Sequence, residues 1–68
     1  MSWNYRVIEK DGGFGVHGAY YDEHENITGI DQDPNVPIGE TVDQLRTTLE
    51  LMLEALKKPI LDYKEFDT

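Results

Sequence analysis

The sequence predicts an α+β domain, in which a three-stranded antiparallel β-meander packs against one C-terminal amphipathic helix, in the order β-β-β-α. Three observations carry this: strict alternation over residues 3–9, a glycine turn straight after it, and a helical apolar period over residues 42–57. The whole of 1–68 reads as a single domain with no repeat or internal boundary.

The first strand spans about 3–9, with Trp3, Tyr5 and Val7 on one face and Asn4, Arg6 and Ile8 on the other. Asp11-Gly12-Gly13 supplies a tight turn, since glycine accepts the positive φ that short hairpins demand. A second strand, about 14–21, then runs back with Phe14, Val16, Gly18 and Tyr20 on a shared face. Gly15 and Gly18 mark a bulge or a close backbone approach within it. The polar stretch Asp22-Glu23-His24-Glu25-Asn26 is a second turn, and residues 27–30 form a short third strand. Residues 31–40 carry two prolines and no apolar period, so they read as an ordered crossover loop.

The helix has the clearest signature. Thr41 and Gln44 form a capping box, and Asp43 at the start with Lys57 and Lys58 at the end complement the dipole. Val42, Leu45, Leu49, Met52, Leu53 and Leu56 fall within a stripe roughly 100° wide, the width of a core-facing surface. Pro59 ends the helix. Thr48, Leu51 and Ala55 form a second, weaker apolar strip, read here as an oligomer interface. The tail 59–68 holds Ile60, Leu61, Tyr63 and Phe66, enough to pack on the sheet or add a short edge strand.

A folded chain of 68 residues buries only about 60% of its unfolded surface, and without cysteine neither disulfides nor thiolate metal sites can supplement so small a core. Self-association is the remaining common remedy, so a homodimer is expected. The start Met1-Ser2-Trp3-Asn4 shows no apolar run suited to a signal peptide or membrane span, which predicts a cytoplasmic protein with no membrane partner. A net charge of −8 argues against direct nucleic-acid binding, which draws its affinity from Lys and Arg on phosphates. No basic residue lies between Lys10 and Arg46, whereas Asp22, Glu23, Glu25, Asp31, Asp33 and Glu40 do. Such an acidic surface steers a basic partner or keeps a small protein soluble.

Catalytic and ligand motifs fare poorly. Gly13-Phe14-Gly15-Val16-His17-Gly18 matches G-x-G-x-x-G but runs from a turn into a strand, not from a strand into a helix N-terminus. Asp22, His24 and Glu25, with His17, offer metal-ligand types on a hairpin tip without rigid support, so no metal or other cofactor is expected. Asp31-Gln32-Asp33-Pro34-Asn35 opens like a calcium loop, yet Val36 stands where glycine belongs and Val42 where the bidentate Glu belongs. The hydroxyls of Ser2, Thr28, Thr41, Thr47, Thr48 and Thr68 lie in no triad setting, and no enzyme is expected.

The strand, turn, strand, strand, loop order and the Gly39-Glu40-Thr41 entry to a Val42-Asp43-Gln44-Leu45 helix resemble the HicB-type antitoxin domain, over roughly Tyr5 to Leu56. The chain also resembles small bacterial proteins that share the Ser2-Trp3-Asn4-Tyr5-Arg6 opening and the Leu51-Met52-Leu53-Glu54-Ala55-Leu56 helix. The antitoxin resemblance implies a truncated ribonuclease H-like fold that binds a small basic RNA-cleaving toxin. The ten or so residues after the helix are too few for a DNA-binding module, and no ribonuclease H carboxylate matches by position. The expected role is a non-catalytic interaction domain whose acidic surface meets a small basic protein. The alternatives are a small-ligand or metal-binding domain using His17, Tyr20, Tyr21 and His24, or a homomeric structural protein.

Overall fold

The computed structural model describes residues 2–66; Met1, Asp67 and Thr68, which the sequence reading counts in the domain, lie outside them. The chain forms β1 (Ser2–Lys10), β2 (Gly13–Tyr21), β3 (Ile27–Ile30), α1 (Val42–Ala55) and β4 (Leu61–Asp62), then one 3-10 turn over Tyr63–Glu65. The expected meander and helix are present, and the tail supplies the short edge strand. Strand order is β3-β2-β1-β4, with β4 parallel to β1 and Leu61 beside Ile8.

The β1–β2 hairpin turns on Asp11 (φ 54°) and Gly12 (φ 80°), two consecutive positive φ values as a type I′ turn requires. Its register is unbroken from Lys10 opposite Gly13 to Ser2 opposite Tyr21. The β2–β3 turn is built by Asp22, whose carboxylate accepts the backbone N–H of His24 (2.8 Å) and of Asn26 (2.9 Å). At Gly18 the reason for glycine is close approach, since a Cβ would stand 2.5 Å from Asp31 Oδ2. The irregularity in pairing falls instead between Tyr20 and Tyr21, opposite β3.

Register assigns the two faces of the sheet. One carries Trp3, Tyr5 and Val7 of β1 with Tyr20, Gly18 and Val16 of β2; the other carries Asn4, Arg6 and Ile8 with Ala19, His17 and Gly15. The second is the more buried, inner face: Ile8 and Ala19 are fully buried and His17 nearly so, while on the outer face Val7 is buried and Trp3 stays exposed. The helix packs on β1, and Arg6 ties its exit down by donating to the Pro59 carbonyl (2.8 Å). Arg6 also donates to the Tyr21 hydroxyl (3.0 Å), which donates to Asn4 Oδ1 (2.8 Å). Lys10 holds loop and tail together, its Nζ donating to the Gln32 carbonyl (2.7 Å) and standing 4.3 Å above the Tyr63 ring.

The capping box closes one residue further out than expected. Thr41 Oγ1 accepts from the Gln44 N–H (3.1 Å), but Gln44 Oε1 accepts from the N–H of Glu40 (2.9 Å). At the other end the N–H groups of Leu56, Lys57 and Lys58 reach the carbonyls of Leu53, Glu54 and Ala55, a tightened i→i−3 turn. The helix therefore ends at Ala55 rather than 57, and both lysines lie beyond it.

The helix is also rolled about its axis relative to the sequence expectation. Of the stripe read as core-facing, Met52 is buried and Leu45 half-buried, while Val42, Leu49, Leu53 and Leu56 are exposed. The face that meets the sheet is Leu45, Thr48, Met52 and Ala55, turned by roughly 70° from the stripe's centre at 100° per residue. The small Thr48 and Ala55 on that face let α1 approach β1 closely. Among the described residues no helix is long and apolar enough to cross a membrane.

Candidate functional site

The outer sheet face is the most distinctive surface of the molecule. Trp3 and Tyr20 sit opposite each other on β1 and β2, and Tyr5 lies two residues along from Trp3 on the same side. The Trp3 and Tyr5 rings meet edge to face, with centroids 5.1 Å apart and planes at 84°, the favourable geometry for two quadrupoles. Trp3 remains 54% exposed and Phe14, on the same face, 66%. Asp31 adjoins this group. Its N–H donates to the Gly18 carbonyl (2.9 Å), which sets it beside β2. Its Oδ1 accepts from the Tyr20 hydroxyl (2.8 Å) and its Oδ2 from Asn35 Nδ2 (3.3 Å). The hydrogen bond from Tyr20 to Asp31 raises the phenol above its ordinary pKa of 10.0, with burial and the carboxylate charge acting in the same direction.

This places an anionic carboxylate at the border of an aromatic platform. Rings of this kind attract cations over their faces, Trp most strongly, and a nearby carboxylate adds a direct ion-pair partner. Sequence reasoning put Trp3, Tyr5 and Tyr20 on predicted strand faces, marking Tyr20 only within the small-ligand alternative and Trp3 and Tyr5 in no site. The signal was there in the alternation, but which of these rings would stay exposed was not.

The acidic residues expected to meet a partner do not form one patch. Asp22, Glu23 and Glu25 occupy the turn before β3, while Asp31 and Asp33 follow it, so a strand of about 13 Å separates the two groups. Glu23, Glu25, Asp33 and Glu40 are exposed. Asp22 is engaged in its own turn and Asp31 with Tyr20 and Asn35.

The strip Thr48, Leu51 and Ala55, read from sequence as an oligomer interface, is not a surface. Ala55 is 1% exposed against the sheet and Thr48 is half-buried, as the roll of the helix requires. Leu51 alone is exposed, bordering Trp3, Asn4 and Tyr5 with Glu54 and Lys58.

His17, Tyr20, Tyr21 and His24 do not converge. The His17 ring lies on the inner face, its Nδ1 donating to the Asp31 carbonyl (2.9 Å). Tyr20 points to the outer face, Tyr21 to the inner, and His24 stands at the exposed β2–β3 turn. Among the described residues no three His, Asp or Glu side chains are grouped as a metal ion would need. No family model, curated protein or solved structure matches this chain.

Proposed function

We propose that this chain is a non-catalytic, cytoplasmic protein-interaction domain, resembling a stand-alone HicB-type antitoxin, that binds a small basic protein. The observation that supports this reading best is the aromatic group of exposed Trp3 and Tyr20 with half-buried Tyr5, beside Asp31. Aromatic residues are enriched in the cores of protein interfaces and among their energetic anchors. The exposed acids Glu23, Glu25, Asp33 and Glu40 give the surrounding surface the opposite sign to a basic partner and raise the rate of encounter.

Pull-down with the full chain from native extract at low ionic strength, with captured proteins identified by mass spectrometry, tests this. The expected partner is small and basic, is released by moderate salt, and is lost both with Trp3→Ala and with the paired reversal Glu23→Lys/Asp33→Lys. A partner retained by both variants, or none captured, overturns the reading. Trp3 and the two acids are exposed, so circular dichroism of each variant should match the wild type.

A further inference from the structure

The roll of α1 leaves a second apolar surface, on the helix itself. Val42 (75%), Leu49 (47%), Leu53 (61%) and Leu56 (66%) are exposed along one line of the helix. With Leu45, Arg46 and Glu50, Val42, Leu49 and Leu53 line a shallow, almost wholly apolar groove. The stripe lies roughly 90° round the helix from the face that meets the sheet, so nothing in the described fold reaches over it.

We propose that this stripe is the interface of a symmetric homodimer in which two copies of α1 pack antiparallel about a twofold axis at Leu49. Two properties of the sequence single out a second copy as the occupant. The apolar positions are palindromic about Leu49: Val42 and Leu56 are each seven residues from it, and Leu45 and Leu53 each four. In an antiparallel pair centred there, Leu49 meets Leu49, Leu45 meets Leu53, and Val42 meets Leu56, as an isologous interface requires.

The charges on the flank repeat the pattern. At 100° per residue Asp43, Arg46 and Glu50 all fall on the side of the stripe away from the sheet. A twofold axis at Leu49 keeps that flank of one helix beside the same flank of its partner. It brings Arg46 of each copy within about 3 Å, along the axis, of Glu50 of the other. Parallel packing about an axis along the helices would instead set this charged flank beside the opposite, sheet-side flank of the partner, and these pairs would not form.

The surface area agrees. The chain exposes 5182 Å², whereas a compact monomer of 7.8 kDa exposes about 4,400 Å². The excess is about 800 Å², close to what one partner contributes to a standard interface. The Cα radius of gyration, 12.3 Å, likewise exceeds the value of about 11 Å expected for a domain of this length.

The experiment is analytical ultracentrifugation of the full chain combined with cysteine cross-linking, which the absence of native cysteine makes clean. A dimer is expected at micromolar concentration. Leu49→Glu puts two carboxylates at the axis and should raise the dissociation constant at least about 100-fold, while Leu51→Glu leaves it unchanged. Arg46→Glu should weaken the dimer, and Arg46→Glu/Glu50→Arg should restore it. Under mild oxidation Leu49→Cys should cross-link with itself, and Val42→Cys should cross-link only when Leu56→Cys is also present. A monomer at all concentrations, a dimer indifferent to Leu49→Glu, or self-cross-linking of Val42→Cys alone overturns the proposal. Leu49 is half-exposed in the single chain, so the glutamate variant keeps its fold, and circular dichroism checks that. Failure here leaves the aromatic-face reading standing, because Trp3→Ala and Leu49→Glu report on different surfaces.

Discussion

Two single residues carry constraints out of proportion to their size. Gly39 folds against the first turn of α1 so closely that a Cβ would stand 2.6 Å from the Leu45 backbone nitrogen and 2.9 Å from Gln44 Cβ. Backbone cannot retreat as a flexible side chain can, so Gly39→Ala should destabilise the fold by about 1–3 kcal/mol, read as a lower urea midpoint with an unchanged slope. Tyr20 makes the second case. Its hydroxyl donates to Asp31, and deprotonation would both remove that donor and set a phenolate beside a carboxylate, so its pKa is raised above 10.0. A raised pKa means that the folded chain holds the proton more tightly than the unfolded one. The resulting stability is fully present below pH 10.0 and is lost as pH rises through the raised value. The difference in phenolate absorbance between wild type and Tyr20→Phe follows this titration, and Asp31→Asn should return it toward 10.0.

At the scale of elements, α1 is fixed at both ends by polar contacts. Removing the N-cap with Thr41→Ala should cost about 1 kcal/mol, since the Gln44 backbone N–H loses its side-chain acceptor. Arg6→Ala should cost more, about 2–4 kcal/mol, because the Pro59 carbonyl and the Tyr21 hydroxyl both lose a charged donor; thermal melts of the two variants rank them. Capping and turn chemistry were legible in the sequence because they are local: Asp11-Gly12 gave the hairpin, and Thr41 with Gln44 gave the helix start. The alternation of β1 was legible too, and so was the existence of α1. What could not be read was rotation about the helix axis, since a hydrophobic stripe reports which side of a helix avoids water, not which object covers it. The same gap hid the candidate site: Trp3 and Tyr5 looked like one half of a strand pattern, with nothing to say that Trp3 would stay exposed.

For the whole molecule the two surfaces should respond to salt in opposite senses. Two copies with a net charge of −8 each repel at long range, so moderate salt should tighten the dimer by screening. A basic partner is drawn in by the same field and should be released under the same conditions. Sedimentation and partner titration across one series of ionic strengths should give slopes of opposite sign.

The bond from Arg6 to the Pro59 carbonyl joins residues 53 apart in the chain, and the Ile8–Leu61 pairing beside it spans an equal distance. In kinetic terms these are late contacts: the β1–β2 hairpin closes over two residues, whereas closing so long a loop must wait for the helix to dock. What forms last on so few contacts also opens first. The β4 strand thus behaves as a latch, and in native-state hydrogen exchange the amides of Leu61 and Asp62 should open well before those of the β1–β2 ladder. A bulky fusion at the C-terminal end should loosen that latch and free the exit of α1, while leaving the hairpin and its aromatic face in place.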